Sequence, residues 1–120
     1  MHVMARRSTA RHATCSTAAR STTHRAQRWA HAPVPTLCSA RGQIIGDTTG
    51  FLKLIFHLKT MKLLGVHIIG EGASELVHIG QAVLTFGGTV DYFLETVFNY
   101  PTLAECYKTA ALDGVNRRAG

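Results

Sequence analysis

The sequence predicts a small α+β domain, an antiparallel sheet packed with about three helices, preceded by a disordered leader. Apolar residues alternate with a period of two between residues 51 and 69 and recur with helical spacing from residue 73 onward. Strand-like segments precede helix-like ones, an order typical of α+β domains rather than doubly wound ones. The leader, by which we mean residues 1–40, contains no Phe, Tyr or Ile.

The leader also carries the whole charge excess of the chain. The 120 residues have a formal net charge of +6, but residues 1–40 contain six arginines and no Asp, Glu or Lys. Residues 41–120 are balanced, with seven cations and seven acids. A segment with so little apolar surface cannot offset its chain entropy, so we expect disorder in the leader. The neutral remainder predicts neither a nucleic-acid nor a membrane partner.

Three hypotheses account for the leader. An Arg- and Ser-rich segment without acids is typical of a mitochondrial transit peptide, and clustered arginines also suit a nucleic-acid-binding arm. The third hypothesis is a stretch without function, joined to a real domain by a misassigned start codon or a shifted frame. We favour the third, because the apolar part begins abruptly at residue 41.

Three strands are predicted before residue 70. Residues 40–50 are interpreted as a short strand that ends in a turn. The two following runs each predict a strand with one buried face. The expected core positions are Leu52, Leu54 and Phe56 in the first run, and Leu64, Val66 and Ile68 in the second. About five residues join these runs, which predicts an antiparallel hairpin.

A helix is predicted over residues 73–86, between glycine-rich breaks. Its expected core face consists of Leu76, Ile79, Gly80 and Val83, with Val77 and Leu84 beside it. Gly80 on that face would permit close packing against another backbone.

Two further helices are predicted after the Gly87-Gly88 pair. Thr89 is expected to cap the first, which ends before Pro101 because the residue preceding a proline disfavours helix. Its apolar positions are Val90, Phe93, Leu94 and Val97. The last helix is expected over residues 103–116. Thr102 and Glu105 match a capping box, with Thr102 as N-cap and Glu105 reaching back from N3.

Motifs of common catalytic sites do not occur in these 120 residues. There is no GxGxxG turn for a dinucleotide, no P-loop and no GxSxG. His57, His67 and His78 lack the spacing of a metal site, so we expect ordinary hydrogen bonds and no metal.

The cysteines predict no redox or zinc motif. Cys15, Cys38 and Cys106 are widely spaced and form no CxxC pair, which favours a reduced intracellular protein. Cys106 is expected to be a buried helix residue rather than a nucleophile.

Several motifs in residues 41–116 occur in the order found in one known family. They are LKLIFH at 52–57, LGVH at 64–67, ASELVHIGQA at 73–82, FNYPTLAE at 98–105 and AALDGVNR at 110–117. This collinear block resembles the C-terminal dimerisation domain of the pyridine nucleotide-disulfide oxidoreductase family. Residues 41–120 are therefore interpreted as a partial dimerisation domain.

The resemblance implies a homodimer whose subunits have an FAD domain, an NAD(P) domain and this interface domain, which reaches over the partner's flavin. In the lipoamide dehydrogenase branch, a His-Pro-Thr-x-x-Glu segment supplies the acid/base pair. Tyr100 stands here at the histidine position, while Pro101, Thr102 and Glu105 match. The resemblance thus assigns Tyr100, Pro101 and Thr102 to the neighbourhood of the flavin, while Glu105 is expected to be only a helix cap.

Tyr100 favours one branch of the family over the others. A tyrosine hydroxyl has an ordinary pKa of about 10 and is a poor base at neutral pH. The resemblance therefore implies a fragment of an FAD-dependent enzyme that transfers hydride between NADPH and NAD⁺ without a redox disulfide. The fragment alone is expected to be inactive and to bind no FAD. The alternatives are a stand-alone dimerising or binding module, or a fragment of a lipoamide dehydrogenase-like reductase. The expected location is cytoplasmic, or mitochondrial if the leader is a transit peptide.

Overall fold

A five-stranded antiparallel sheet with helices packed on it forms the fold, in a computed structural model that describes residues 2–6, 12–16, 29–35, 39–46 and 49–119. The elements are β1 His2–Arg6, β2 His12–Ser16, β3 Trp29–Pro35, α1 Ala40–Ile45, β4 Phe51–His57, β5 Leu63–Ile69, α2 Ala73–Thr85, α3 Asp91–Glu95 and α4 Glu105–Ala119. The strand order is β1-β2-β5-β4-β3. The predicted α+β class is confirmed.

The predicted hairpin is formed by β4 and β5. The His57 amide donates to the Lys62 carbonyl at 3.0 Å, and the Met61 amide donates to the His57 carbonyl at 2.8 Å. Met61 has a φ of 58°, the left-handed conformation that lets the chain reverse here. The prediction of β4 burial is also confirmed, because its three expected core residues are at most 1% exposed.

The predicted core face of β5 is wrong at one position. Ile55 is opposite Gly65, but Phe56 is opposite Leu63, so Leu64 is an extra residue in the register. A bulge of this kind shifts the alternation by one residue. Leu63 is therefore the buried residue at 2% exposure, and Leu64 is only half-buried.

Residues Ala40–Ile45 form helix α1, which corrects the predicted strand. The Ser39 hydroxyl accepts a hydrogen bond from the Gly42 amide at 3.0 Å and so caps the N-terminus of α1. Gly46 ends the helix with a φ of 67°, and its amide donates to the Gln43 carbonyl at 3.3 Å. Local capping at both ends stabilises a short helix where the apolar pattern indicated a strand.

The leader is expected to be disordered, but three of its segments form strands, namely β1, β2 and β3. Antiparallel pairing joins β3 to β4 and β2 to β5. Pairing with an existing sheet edge satisfies backbone groups whatever the side chains, and Val34 of β3 is also buried in the core at 4% exposure, which the composition argument did not consider. Pro33 and Pro35 lie on β3, which is last in the strand order of the described sheet, and prolines within sheets are found mainly on edge strands. The rest of the leader lies outside the described residues.

The helices bury their apolar residues against the sheet. Helix α2 contacts β5 and β2, α4 contacts β3 and β4, and α3 contacts α4. The rings of Phe93 on α3 and Tyr107 on α4 stack with centroids 4.8 Å apart, and both residues are fully buried. This aromatic pair joins the last two helices to the core.

The predicted helix at 73–86 is confirmed as α2, but its buried face is rotated. The buried residues are Ala73, Val77, Gly80 and Val83, while Leu76, Ile79 and Leu84 are half-buried against the core. The rotation places Gly80 at the closest contact with the sheet. A Cβ added there would lie 2.5 Å from Val66 Cγ2 and 2.9 Å from the Tyr107 hydroxyl.

The helix predicted from Thr89 to near Pro101 is much shorter in the structure. Helix α3 ends at Glu95, and Val97, predicted on its apolar face, is 89% exposed. The hydroxyl of Thr89 donates to the Asp91 carboxylate at 2.9 Å, and α3 has no side-chain cap bond, so the predicted Thr89 cap is wrong. The Thr96 carbonyl accepts from the Lys108 ammonium at 3.2 Å, so a side chain of α4 bonds to the backbone directly after α3.

We expect Gly80→Ala to destabilise the domain. Overpacking in a core costs about 1–3 kcal/mol, which exceeds the roughly 1 kcal/mol that alanine gains over glycine in a helix. Urea denaturation should show a lower free energy of unfolding than for Ser74→Ala, a matched change at an exposed position of α2. In a Val66→Ala background, Gly80→Ala should lower the free energy of unfolding by less than it does in the wild-type chain, because the Val66 methyl group that the new Cβ would contact is gone. Equal stability of Gly80→Ala and Ser74→Ala would contradict the close packing at Gly80.

Candidate functional site

The candidate site is the connection between α3 and α4, where the sequence has Tyr100-Pro101-Thr102. The Tyr100–Pro101 peptide bond is cis. The side chain of Tyr100 is 76% exposed, and Pro101 is also exposed. The segment therefore presents an aromatic ring to the surface of the domain and not to its core.

The predicted capping box is half formed. The Thr102 amide donates to Glu105 Oε2 at 3.3 Å, as expected for the residue that reaches back. The Thr102 hydroxyl, in contrast, donates to the Asn99 carbonyl at 2.7 Å, and α4 begins at Glu105 rather than at 103. Thr102 thus closes the preceding turn, and the Glu105 carboxylate lies in the first turn of α4, where the helix dipole favours a negative charge.

The structure brings Thr102 and Glu105 together but does not join Tyr100 to Glu105. No hydrogen bond between the Tyr100 hydroxyl and the Glu105 carboxylate occurs in the part of the chain that the structure describes. An acid/base pair like that implied by the family's His and Glu is therefore not formed within this chain. The contact supports Glu105 as a helix cap.

The three histidines lie apart from this segment. The Nδ1 of His57 accepts from the Thr60 amide at 3.1 Å in the hairpin turn, and that of His78 is 3.0 Å from Gln81 Oε1 on α2. His67 lies on β5 opposite Lys53. Among residues 2–6, 12–16, 29–35, 39–46 and 49–119, no group of three or more His, Cys, Asp or Glu could hold a metal ion.

The cysteines are also separate from the segment. Cys106 lies on α4 at 1% exposure, which confirms the prediction of a buried helix cysteine. Cys15 lies on β2, and Cys38 lies outside the described residues.

Sequence reasoning missed an apolar groove beside the end of α2. Its volume is about 490 Å³, and it is lined by Ile79, Ala82, Val83, Phe86, Gly88 and Tyr92. Phe86, the last residue of the predicted helix, is 89% exposed. The only local signal was a large aromatic residue directly before the Gly87-Gly88 helix stop.

Sequence reasoning also missed the bond from Lys108 to the Thr96 carbonyl. No motif pairs a lysine with a carbonyl twelve residues earlier, so this contact has no local signal. In the same described ranges, no helix is long and apolar enough to cross a membrane.

The domain thus combines an antiparallel sheet, helices packed against it and an exposed aromatic residue in the loop before the last helix. The model of the pyridine nucleotide-disulphide oxidoreductase dimerisation domain matches residues 12–111. The chain therefore belongs to the pyridine nucleotide-disulphide oxidoreductase family through that domain. The match begins inside the leader, at the residue where β2 starts.

Relatives in sequence carry one recurring name. The chain is 59% identical over 81 residues to the soluble pyridine nucleotide transhydrogenase of Hahella chejuensis, covering 65% of this chain and 18% of the relative. It is 59% identical over 78 residues to that of Mycobacterium tuberculosis, covering 65% of this chain and 17% of the relative. The chain thus spans less than a fifth of the length of these curated relatives.

Solved structures share the fold at much lower identity. LpdA from Mycobacterium tuberculosis aligns with a TM-score of 0.80 and 19% identity, over 92% of this chain and 24% of LpdA. The flavoprotein disulfide reductase RclA from Escherichia coli aligns with a TM-score of 0.73 and 19% identity, over 85% of this chain and 23% of RclA. At this identity the likeness establishes the fold alone.

Glu105→Ala should lower the free energy of unfolding by about 1 kcal/mol, because the Thr102 amide loses its acceptor and α4 loses a first-turn charge. Glu105→Gln should cost less, since a glutamine oxygen can still accept in a capping box. Urea denaturation measures both changes. Glu95→Ala, which removes an exposed carboxylate at the end of α3, serves as the control and should change stability little. A loss in Glu105→Ala no greater than in Glu95→Ala would exclude the capping role.

Proposed function

We propose that this chain is the dimerisation part of an FAD-dependent transhydrogenase that moves reducing equivalents between NADPH and NAD⁺. In this proposal two copies associate, and the Tyr100–Pro101–Thr102 segment of each lies near the flavin of the other subunit. The chain alone supplies the interface and does not transfer hydride.

The observation that carries the proposal is the 59% identity to relatives named soluble pyridine nucleotide transhydrogenase. That name recurs among the curated relatives at 52–59% identity, which favours the transhydrogenase branch of the family. Tyr100 supports the same branch, because it stands at the family's histidine position, where the disulfide-using members have an imidazole as their acid/base group.

The exposed apolar side chains support an association surface. The large apolar residues exposed on and between the helices after residue 85 are Phe86, Tyr92, Val97, Tyr100 and Leu112. Aromatic residues are enriched at protein interfaces, where a large rigid side chain loses little entropy on burial. A further pair, Ile44 and Ile45 on α1, is 66% and 39% exposed.

The residues of this chain fit a contact with a flavin but not a binding site for one. FAD supplies the hydride-carrying chemistry when the enzyme holds it. Tyr100 lies on an exposed loop, and the 120 residues contain no GxGxxG turn to bind the cofactor's pyrophosphate. Within this chain, Tyr100 would shape one wall of the flavin cavity, and Glu105 would stabilise the helix behind it.

The cellular location of the protein and the role of its leader are also proposals. We place the protein in the cytoplasm, and in mitochondria only if residues 1–40 act as a transit peptide. Imaging the full chain with a C-terminal fluorescent tag would distinguish the two locations. The comparison is a variant that begins at residue 29, which lacks most of the leader but retains β3.

Light scattering of the purified 120-residue chain should give a mass that rises from monomer to dimer with concentration. Added FAD should keep its free fluorescence, and no reduction of NAD⁺ by NADPH should be detected. A chain that is monomeric at every concentration contradicts the interface role. Bound flavin or hydride transfer by the chain alone contradicts the division between interface and catalysis.

A further inference from the structure

The connection between α3 and α4 has a defined shape without helix or strand. Residues 96–102, which we name the presentation loop, carry Val97 and Tyr100 with exposures of 89% and 76%. Two large apolar side chains that are this exposed gain nothing from the core of their own domain. Their position depends on what holds the backbone of the loop.

Helix α4 holds the loop at both ends. At the start, the Lys108 ammonium donates to the Thr96 carbonyl at 3.2 Å. At the end, the Glu105 carboxylate accepts from the Thr102 amide at 3.3 Å. Glu105 and Lys108 are three residues apart on one helix, so they lie on the same face. Both contacts are partly buried and involve a charged group, at distances near the long end of the hydrogen-bond range.

The loop is further constrained from within and from α3. The Thr102 hydroxyl donates to the Asn99 carbonyl at 2.7 Å, and the Thr96 amide donates to the Tyr92 carbonyl at 3.0 Å. Glu105 and Thr102 thus hold the half of the loop after Tyr100. Lys108 holds the half before it through the Thr96 carbonyl.

We propose that Lys108 is a positioning residue for association: its ammonium fixes the Thr96 end of the presentation loop so that Val97 and Tyr100 meet a second copy of the chain. This inference rests on the proposed dimerisation, to which the family match over residues 12–111 points. A preorganised loop loses less conformational entropy when it binds, so releasing one end weakens association without removing a contact residue.

The test compares three lysine variants in the full chain. Lys108→Met keeps the aliphatic length and removes the donors, whereas Lys108→Arg keeps a cationic donor. Lys59→Met is the control, because Lys59 is exposed in the hairpin turn. Sedimentation equilibrium gives the dimer dissociation constant, amide hydrogen exchange reports the order of residues 96–102, and urea denaturation reports stability.

Lys108→Met should raise the dissociation constant roughly tenfold, because a loop that is no longer held before binding must be ordered during association. It should also speed amide exchange in the presentation loop, and Lys108→Arg should restore most of both. Lys59→Met should match the wild-type chain. A lysine with a merely structural role would change the urea midpoint and leave the dissociation constant unaltered.

Failure of this inference differs from failure of the proposed dimerisation. If the wild-type chain dimerises and Lys108→Met dimerises equally well, the positioning role of Lys108 is wrong and the interface role stands. If the wild-type chain stays monomeric, the dimerisation proposal is wrong and the role of Lys108 in association is wrong with it. Unchanged loop exchange in Lys108→Met contradicts the inference in either case.

Discussion

The close contact between α2 and β5 at Gly80 is the constraint on which the other helix positions depend. A methyl group there would lie 2.5 Å from Val66 Cγ2, so only glycine allows this approach. The Tyr107 hydroxyl accepts from the Gly80 amide at 3.1 Å and donates to the Leu76 carbonyl at 2.8 Å. These two groups, four residues apart, would otherwise bond within the helix. One hydroxyl of α4 therefore satisfies two backbone groups of α2 and fixes the two helices together.

The candidate site depends on the close contact at Gly80, because the residues that hold the site lie at the start of α4, next to Tyr107, which bonds to Gly80. Tyr107 lies between Glu105 and Lys108 in sequence, and it faces α2 and the core while they hold the presentation loop. The stacking of Tyr107 on Phe93 adds α3 to the same unit. Both ends of the loop are thus attached to elements that are packed on the sheet. An exposed loop held in this way can present Tyr100 in a fixed place although Tyr100 itself is 76% exposed.

Sequence patterns predicted those elements whose burial is regular. The alternation in β4, the hairpin, the start of α2 and the burial of Cys106 agree with the structure. Predictions failed where a local feature changed the pattern: a bulge at Leu64 and the Ser39 cap of α1. For the candidate site, the Thr102–Glu105 contact could be predicted because it is a local capping motif. The bond between Lys108 and Thr96 could not, because it joins residues twelve apart across a loop.

The sequence by itself determined the α+β class, the order of the core elements and the family, because apolar periodicity and the Tyr-Pro-Thr-x-x-Glu segment are local in the chain. Only the tertiary structure decided that Gly80 lies at the closest helix–sheet contact, that Tyr107 bridges two helices, and that β3 of the leader pairs with the sheet. Each of these depends on groups far apart in sequence. Backbone pairing in particular is nearly independent of side-chain type, so composition gave no sign of β3.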